Sequence, residues 1–250
     1  MSGPPPAEPP RKRMVRSPTG GTDAGRPTPK RLKRAKEMTP SSQAWLERQI
    51  NDPFVTEAKA RGYRSRAAFK LREMDDRFHL IRRGARVIDL GCAPGGWVQI
   101  ALERGAGVVV GIDLLAMDPI FPATLIEGDF TDEACGARLI AHLGGAPDLI
   151  VSDMAPNTTG HRQTDHLRIV GLVEAAVDFA FEALRPGGAL VCKAFQGGET
   201  RALLARLNAA FDSVKHVKPK ASRAESSELY LLARGFQRPA AGFAGTGGRD

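Results

Sequence analysis

One segment limits the possible folds of this chain more than any other. It starts with the β-branched run Arg86-Val-Ile, continues through the glycine-rich stretch Asp89-Leu-Gly-Cys-Ala-Pro-Gly-Gly-Trp97, and leads into an apolar helical pattern. This order predicts a strand, a tight turn and a helix. In an open α/β sheet, the turn after such a strand is where a nucleoside-bearing cofactor binds.

The residues of the turn distinguish between possible cofactors. A dinucleotide needs a helix N-terminus where bare backbone lies open to a pyrophosphate. Here Pro94 and the bulky Trp97 crowd that position, which favours S-adenosylmethionine, a cofactor without phosphates, over NAD. The second strand candidate ends at Asp113, about 20 residues beyond the turn, where an acid would meet ribose hydroxyls.

Apolar strand candidates alternate with helical segments through most of the chain, which predicts an α/β fold with helices on both faces of the sheet. Parallel strands are expected at Arg86–Leu90, Val108–Asp113, Thr124–Glu127, Leu149–Ser152 and Ala189–Lys193. A first helical segment is expected at Ser41–Lys59, with an interruption at Pro53, and a second helix is expected to begin after Ser65 as its N-cap. Further helices are expected at Gly96–Arg104, Asp132–Leu143, His166–Leu184 and Glu199–Phe211.

The chain ends with two strand candidates that have no helix between them, Ser213–Lys218 and Glu228–Ala233. A parallel crossover needs a longer connection, so we expect an antiparallel hairpin at one edge of the sheet. The predicted sheet is therefore mostly parallel and seven-stranded.

The positive charge of the chain is concentrated at its start. The net charge is +8, and residues 1–40 contain ten Lys or Arg, three acids and half of the 18 prolines. Such a stretch, without apolar periodicity, cannot bury enough surface to fold alone. We expect a disordered basic Pro-rich arm over residues 1–40, a folded domain over 41–236 and a flexible tail over 237–250. The arm either binds phosphates in a salt-sensitive way or serves only as a solubilising tail.

Several kinds of protein are disfavoured by what the sequence lacks. No short apolar core follows the first charges and no long apolar run occurs, so neither a secretory signal nor a membrane span is expected. Cys92, Cys135 and Cys192 show no paired metal spacing and the five histidines do not cluster, so we expect no metal site. Scattered thiols favour a reducing compartment, and we expect a cytoplasmic protein.

Carboxylates follow three consecutive strand candidates, as Asp113, Asp129 and Asp153. Successive strand ends line one crevice, where acceptors would bind the ribose hydroxyls and the exocyclic amine of an adenosine. A carboxylate at Asp153 would also favour a nearby sulfonium cation. The alternative interpretation is that each acid only caps the helix that follows it.

Five segments, taken together, resemble the FtsJ-type methyltransferases. They are Arg64-Ser-Arg-Ala-Ala-Phe-Lys-Leu71, Asp89 to Trp97, Ser152-Asp-Met-Ala-Pro-Asn157, Val191-Cys-Lys-Ala-Phe-Gln-Gly197 and Ser222-Arg-Ala-Glu-Ser-Ser-Glu-Leu-Tyr230. The resemblance runs from about Ala44 to Gly235. It implies a Rossmann-like S-adenosylmethionine-dependent methyltransferase fold, and methyl transfer to the ribose 2′-hydroxyl of a uridine in 23S rRNA.

The resemblance also implies which residues form the site. The family's tetrad of two lysines and two acids corresponds to Lys70, Asp153, Lys193 and Glu228. Its cofactor contacts correspond to Gly95, Trp97, Asp113, Asp129 and Asp153. Two features depart from the family pattern: the arm before residue 41 is longer, and residues 225–227 read Glu-Ser-Ser where a basic residue would be common.

The expected reaction explains why such residues are needed. A ribose hydroxyl is a poor nucleophile, so the enzyme must align it with the methyl group and remove its proton. We expect Lys193, at the end of the fifth strand, to be the base. Lys70 and the sulfonium would favour its neutral form, and Asp153 and Glu228 its charged form. The sequence leaves this balance open.

Two basic groups are candidates for holding an RNA backbone. They are Arg61, Arg64, Arg66 and Lys70 near one helix start, and Lys218, Lys220 and Arg223 in the last loop. If both groups flank the crevice they form a rim for phosphates, although charged clusters are often only solvated surface. The leading hypothesis is a monomeric enzyme acting on 23S rRNA. The alternatives are a tRNA or mRNA-cap substrate, a non-catalytic ribosome-assembly factor, and an NAD-dependent oxidoreductase.

Overall fold

The computed structural model describes residues 39–156, 162–196, 200–223 and 225–237. The predicted N-terminal arm and C-terminal tail lie almost entirely outside these residues and stay predictions. Internal contacts divide the chain into one unit that ends at Glu47 and a second that starts at Arg48. The whole sheet belongs to the second unit.

Helices and strands alternate along the described residues in the predicted manner. The helices are α1 (Pro40–Asn51), α2 (Pro53–Ala60), α3 (Ala68–Phe78), α4 (Gly96–Glu103), α5 (Glu133–Leu143), α6 (Arg162–Ala183) and α7 (Arg201–Ala210). The strands are β1 (Arg86–Leu90), β2 (Val108–Asp113), β3 (Thr124–Glu127), β4 (Leu149–Ser152), β5 (Ala189–Phe195), β6 (Phe211–Val217) and β7 (Glu228–Phe236).

The seven strands form one sheet in the order β3-β2-β1-β4-β5-β7-β6. Strands β1 to β5 are parallel, and β7 is antiparallel to both β5 and β6. The predicted mostly parallel sheet with an antiparallel edge hairpin is therefore confirmed. Since no helix separates β6 from β7, the chain returns directly beside the strand it has just left.

Helices cover both faces of the sheet, as the sequence predicted. Alternate strand residues point to opposite faces, so Val87 belongs to the core cluster that contains residues of α3 and α4, whereas its neighbour Ile88 belongs to the cluster that contains residues of α5, α6 and α7. Both faces of the inner strands are buried, which is why these strands are almost entirely apolar. Among these apolar residues, Asp89 in β1 is a buried carboxyl residue.

The position of β1 determines where a ligand can enter. Its neighbours are β2 on one side and β4 on the other, so the strand order reverses direction at β1. The connections that leave β1 and β4 therefore diverge to opposite faces of the sheet. Open α/β sheets bind their ligands in the crevice that this divergence creates, outside the carboxyl ends of the strands.

Several predicted boundaries differ from the structure, among them the start of β6, which is Phe211 instead of Ser213. Strands β5 and β7 are longer than predicted because they pair along their whole length, from Ala189 with Arg234 to Phe195 with Glu228. Ser65 was expected to be an N-cap, which is wrong. A tight turn precedes α3, with Ala68 N donating to Ser65 O, and the N-cap is Ala67, which makes no side-chain capping bond.

The structure also bears on membranes, metals and cysteines. In the described part of the chain, no helix combines the length and apolar character needed to cross a bilayer. Among the same residues, no three His, Cys, Asp or Glu side chains come together in a way that could hold a metal ion. Cys92, Cys135 and Cys192 are all buried.

Candidate active site

The glycine-rich turn joins β1 to α4 by a route that only glycine permits at two points. Gly91 has φ of 73°, and a Cβ there would lie 2.2 Å from Met154 Cγ, so the turn packs directly against the segment after β4. The amides of Gly91 and Cys92 both donate to Ile112 O, which ties the turn to β2. The ends of β1, β2 and β4 are thereby held close together.

Gly95, the N-cap of α4, permits a second close approach. Its φ is 109°, and a Cβ there would lie 2.4 Å from Ile120 Cδ1. Arg64 packs beside it and donates to Asp118 O at 2.7 Å and to Pro119 O at 2.8 Å. Arg64 was expected to face RNA phosphates. Instead, its guanidinium fastens the loop after β2 onto the glycine turn.

A cavity of about 730 Å3 opens outside the carboxyl ends of these strands. Asp113, Asp129 and Asp153 all line it, together with Gly91 and the segment after β4. Its size lies within the roughly 300–1,000 Å3 of typical small-molecule sites. The three strand-end acids that the sequence singled out therefore share one cavity, which we call the cofactor cavity.

Local hydrogen bonds orient two of these carboxylates. Asp113 accepts from Ala93 N and from Leu115 N, both at 2.9 Å. Asp129 accepts from the amide and the hydroxyl of Thr131. The interpretation of these acids as mere helix caps is wrong, because the N-cap of α5 is Asp132 and no helix starts directly after Asp113 or Asp153.

Trp97 and Gly95 lie outside the lining of the cofactor cavity. Trp97 is only 3% exposed, its indole N–H donates to Ala67 O at 2.7 Å, and its ring packs 5.6 Å from the ring of Tyr230. The side chain thus links the start of α3 to β7 beneath the site. A direct contact of either residue with a cofactor stays a prediction.

The structure brings the four tetrad residues together from four different elements. Lys193 Nζ lies 2.9 Å from Asp153 Oδ1, and Lys70 Nζ lies 2.7 Å from Glu228 Oε1. The crossed pairs are longer, 3.8 Å from Lys70 to Asp153 and 3.9 Å from Lys193 to Glu228. Two lysines and two carboxylates therefore alternate around one closed ring of ion pairs.

Sheet register explains how residues so far apart in sequence meet. Lys193 is directly opposite Tyr230 in the β5–β7 pair, and Glu228 lies two residues before Tyr230, so all three side chains share one face. Asp153 follows the adjacent β4, and its carbonyl oxygen accepts a hydrogen bond from Lys193 Nζ at 2.7 Å. Lys70 reaches the same point from α3, which covers this face.

Tyr230 is at the centre of the ring, a residue for which the sequence predicted no role. Its hydroxyl donates to Asp153 Oδ1 at 2.6 Å, accepts from Lys70 Nζ at 3.1 Å and lies 3.4 Å from Glu228 Oε1. Its position two residues after Glu228 on a strand was the available signal, since such residues face the same way.

Burial and charge act in opposite directions on the groups of this ring. Burial alone would raise the pKa of Asp153, but the charges of Lys193 and Lys70 outweigh it and hold that pKa below its usual value. Burial, together with the charges of Asp153 and Glu228, raises the pKa of Tyr230 well above its ordinary value. The tyrosine therefore stays protonated and available as a donor, while Asp153 stays ionised.

Asp89 is a second residue to which the sequence assigned no role of its own. It is 1% exposed, and neither of its carboxylate oxygens has a hydrogen-bond partner in the structure. Burial, with smaller contributions from Asp153 and Asp113, raises its pKa well above the usual range. A buried polar group without a partner is unusual. The two acids that contribute to this shift, Asp153 and Asp113, both line the cofactor cavity.

A second, polar cavity of about 360 Å3 adjoins the ring on another side. Lys70 and Glu228 line it together with Arg66 and Arg223, and we call it the substrate groove. The two predicted basic groups thus do meet, through Arg66 and Arg223. The ring lies between this groove and the cofactor cavity, which Asp153 lines.

Most other members of the predicted basic rim have partners within the protein. Arg61 pairs with Glu57 at 2.5 Å, and Lys218 donates to Ser226 O at 2.8 Å. Arg66 pairs with the buried Asp52, which also lies 3.7 Å from Arg223 Nε. The positive charge of the rim is therefore partly neutralised inside the protein.

A crevice at the strand-order reversal, with a carboxylate-lined cavity beside a ring of lysines and acids, is typical of an enzyme of the α/β class. A family model described as FtsJ-like methyltransferase matches residues 63–236. The chain therefore belongs to the FtsJ-like methyltransferases, and the Rossmann-like methyltransferase fold that the resemblance implied is confirmed.

Curated relatives support this assignment over most of the chain. A protein of Caulobacter sp. (strain K31) named ribosomal RNA large subunit methyltransferase E is 62% identical over 224 residues, covering 90% of this chain and 99% of the relative. A protein of the same name from Granulibacter bethesdensis is 60% identical, and the match covers 82% of this chain and 90% of the relative. A crystal structure described as a ribosomal RNA methyltransferase from Plasmodium falciparum is 31% identical, with a TM-score of 0.62, covering 70% and 98%.

Proposed function

We propose that this chain transfers a methyl group from S-adenosylmethionine to the ribose 2′-hydroxyl of a uridine in 23S rRNA of the large ribosomal subunit. The observation that carries the proposal is the meeting of Lys70, Asp153, Lys193 and Glu228 between the cofactor cavity and the substrate groove. The name ribosomal RNA large subunit methyltransferase E, shared by relatives about 60% identical, supports the choice of substrate.

The residues of the cofactor cavity suit S-adenosylmethionine. Asp113 and Asp129 present oriented carboxylates for hydroxyl and amine groups of a nucleoside, and Asp153 adds negative charge near a cation. Asp89 supplies buried oxygens that still need a partner, which an ammonium group or a bridging water would provide. The bound cofactor supplies a sulfonium methyl group, which is the electrophile. Gly95 and Trp97 shape the turn beneath it.

The ring of ion pairs suits Lys193 for the removal of a proton. Its Nζ is held by two acceptors, the carboxylate Oδ1 and the carbonyl oxygen of Asp153. A neutral amine has two hydrogens and one lone pair. With both hydrogens on Asp153, the lone pair is left for the substrate hydroxyl, which makes Lys193 the proposed base. Lys70 and Glu228, paired at 2.7 Å on the groove side, orient the ribose.

Membership of a methyltransferase family removes the reason to retain an NAD-dependent oxidoreductase. A complete tetrad favours an enzyme over a non-catalytic assembly factor. A tRNA or an mRNA cap stays the alternative substrate, because the ring would act on any ribose hydroxyl that the groove admits. We further propose that the enzyme works as a cytoplasmic monomer without a metal, in contact with the large subunit or its precursor.

Methylation assays with labelled cofactor test the substrate. The purified protein is incubated with 23S rRNA, large subunits, precursor particles, tRNA and capped mRNA, each from cells that lack the enzyme. We expect label in the 23S rRNA, alone or within the particle, at a 2′-O-methyl uridine found by alkaline-resistance mapping. Label confined to tRNA or to the cap, or placed on a base rather than a ribose, would contradict the proposal.

A further inference from the structure

A third cavity, which is polar, lies at the opposite end of the sheet from the ring of ion pairs. Its volume is about 410 Å3, and it is bounded by the residues where β4 and β5 start and β7 ends. Its charged or titratable lining consists of His79, Arg82, Asp148, Arg185, Asp212 and Arg234. It shares no lining residue with the cofactor cavity or the substrate groove, so the candidate active site does not account for it.

The acids of this cavity are already engaged, whereas two of its arginines are not. Arg185 pairs with Asp148 at 2.5 Å, and Asp212 accepts a hydrogen bond from Gln237. Arg82 and Arg234 are exposed, and within the described ranges no hydrogen bond or ion pair joins the guanidinium of either to another residue. The cavity therefore presents two available guanidinium groups, whose planar donors match phosphate oxygens.

The exposed basic residues are not confined to the cavity. Arg234 and Tyr230 lie on the same face of β7, four residues apart, or roughly 13 Å along an extended strand. Between them, on the edge strand β6, the exposed Lys215 pairs with Leu232 and so points to that same face. Beyond the end of β6 follow Lys218, Lys220 and Arg223, the last of which lines the substrate groove.

This arrangement forms a line of positive side chains from the ring of ion pairs to the far end of the sheet. A small anion would need only the cavity, whereas a polymer with a negative charge at every unit would use the whole line. Residues 41–250 have a net charge of only about +1. The concentration of positive side chains along one edge of the sheet is therefore not a consequence of overall composition.

We propose that Arg82 and Arg234 form a distal RNA site, which binds backbone phosphates of the RNA whose target ribose occupies the substrate groove. The RNA strand runs along the β6 edge, past Lys215, between the two sites. The identity of that RNA as 23S rRNA rests on the proposed function; the distal site itself rests on the geometry above. Because its contacts are with phosphates, it contributes affinity and not sequence preference.

Filter binding of transcribed 23S rRNA in the presence of S-adenosylhomocysteine tests the distal site without any methyl transfer. The variants are Arg82→Glu, Arg234→Glu and the double substitution, and the control is Arg138→Glu, an exposed arginine on α5 over the other face. Affinity is measured between about 50 and 200 mM salt, where each lost phosphate contact lowers the slope of log affinity against log salt by about 0.7–0.9.

We expect the double variant to bind the rRNA at least tenfold more weakly, with a slope reduced by the equivalent of about two contacts. A short oligonucleotide that fills only the groove should lose no affinity, and calorimetry should show unaltered binding of S-adenosylmethionine. Arg138→Glu should match the parent protein.

Unchanged rRNA affinity and slope in the double variant would overturn the proposal. So would a saturable site for inorganic phosphate that Arg234→Glu abolishes while rRNA binding stays the same, because the cavity would then serve a small anion. If the variant loses affinity but the parent methylates no 23S rRNA, the distal site stands and the proposed function fails.

Discussion

Single side chains determine how the protons are distributed within the ring of ion pairs. Asp153 is held ionised by two lysines, and Tyr230 is held neutral by burial and two carboxylates. Each member therefore depends on its neighbours, and removing one changes the charge that the others experience. Substitutions at this scale separate chemistry from cofactor binding.

Lys193→Ala is expected to lower the single-turnover rate of methyl transfer at least about a hundredfold, because it removes the proposed base. S-adenosylmethionine affinity, measured by calorimetry, should stay within a few-fold of the parent, since the cofactor cavity keeps its carboxylates. Lys59→Ala, at an exposed position on α2, serves as the control. Full activity of the Lys193 variant would rule out this lysine as the base.

Tyr230→Phe is expected to reduce the transfer rate about tenfold and the free energy of unfolding by about 1–3 kcal/mol, because Asp153 and Lys70 lose a buried hydrogen-bond partner. The same chemical change at Tyr63, whose hydroxyl donates to Glu103 at 2.5 Å outside the ring, should leave the rate unaltered. Equal rates for both variants, measured under single-turnover conditions, would show that Tyr230 only fills space.

Asp89→Asn is expected to stabilise the cofactor-free protein increasingly as the pH rises. The folded-state pKa of Asp89 is raised, so the fold retains a proton that the unfolded chain releases above a pH of about 4. Above that pH the free energy of unfolding of the parent protein falls by up to about 1.4 kcal/mol per pH unit until the folded-state pKa is reached. The variant does not show this fall.

Urea unfolding at pH 5 and pH 8 measures this difference, with Asp118→Asn, an exposed acid, as the control. The same Asp89 variant should bind S-adenosylmethionine more weakly if its orphaned oxygens serve the cofactor. A stability difference that shrinks as the pH rises would show that Asp89 is not held protonated in the fold.

At the scale of secondary-structure elements, one buried carboxylate joins three segments around the substrate groove. Asp52 is the N-cap of α2, accepting from Phe54 N at 3.0 Å, and it also contacts Arg66 before α3 and Arg223 before β7. Arg66 additionally donates to Ala221 O, which closes the connection to the last loop. The two arginines of the groove therefore depend on a residue outside the ring.

Asp52→Ala is expected to lower the free energy of unfolding by about 2–4 kcal/mol, because it removes a helix cap and leaves a mostly buried arginine unpaired. Asp132→Ala removes the equivalent cap of α5, which accepts from Ala134 N at 3.0 Å without an ion pair, and should cost only about 1 kcal/mol. Equal losses in denaturant unfolding would show that the ion pairs contribute nothing.

Element boundaries were predictable where apolar pattern alone decided them. Strands β1 to β4 match their predicted ranges because each is a short apolar run bounded by turn residues, including the edge strand β3. The start of α3 was not predictable from Ser65, since a preceding tight turn delays the helix to Ala68. The ends of β5 and β7 depend on pairing between two strands, which neither strand encodes by itself.

At the scale of the whole molecule, the basic arm and the folded domain are expected to contribute differently to RNA binding. Residues 1–40 carry a net charge of +7, and their placement lies outside the described residues except for the last two. Deleting residues 1–38 should weaken rRNA affinity and flatten its salt dependence, because counterion release scales with the phosphates that are neutralised.

The single-turnover rate of the truncated protein at saturating RNA should equal that of the full chain. The ring of ion pairs lies within the second unit of the chain, which starts at Arg48 and is left intact by the deletion. Rapid-quench measurements at low and high salt make the comparison. A salt slope unaffected by the deletion would leave the arm without a role in RNA binding.

The sequence by itself determined the layered α/β architecture, the edge hairpin and the strand ends at which acids would meet, because periodicity and turn residues act over short distances along the chain. Only the tertiary structure decided which side chains form hydrogen bonds with one another. Lys70 and Tyr230 are 160 residues apart, and their hydrogen bond depends on strand order and register.

The same reason accounts for contacts that the sequence did not indicate. Arg64 binds loop carbonyls, Trp97 packs against Tyr230, and the carboxylate of Asp89 has no hydrogen-bond partner in the structure. Local pattern specifies that a residue is polar and where its strand ends. Its partner is set by the packing of elements that are distant in sequence.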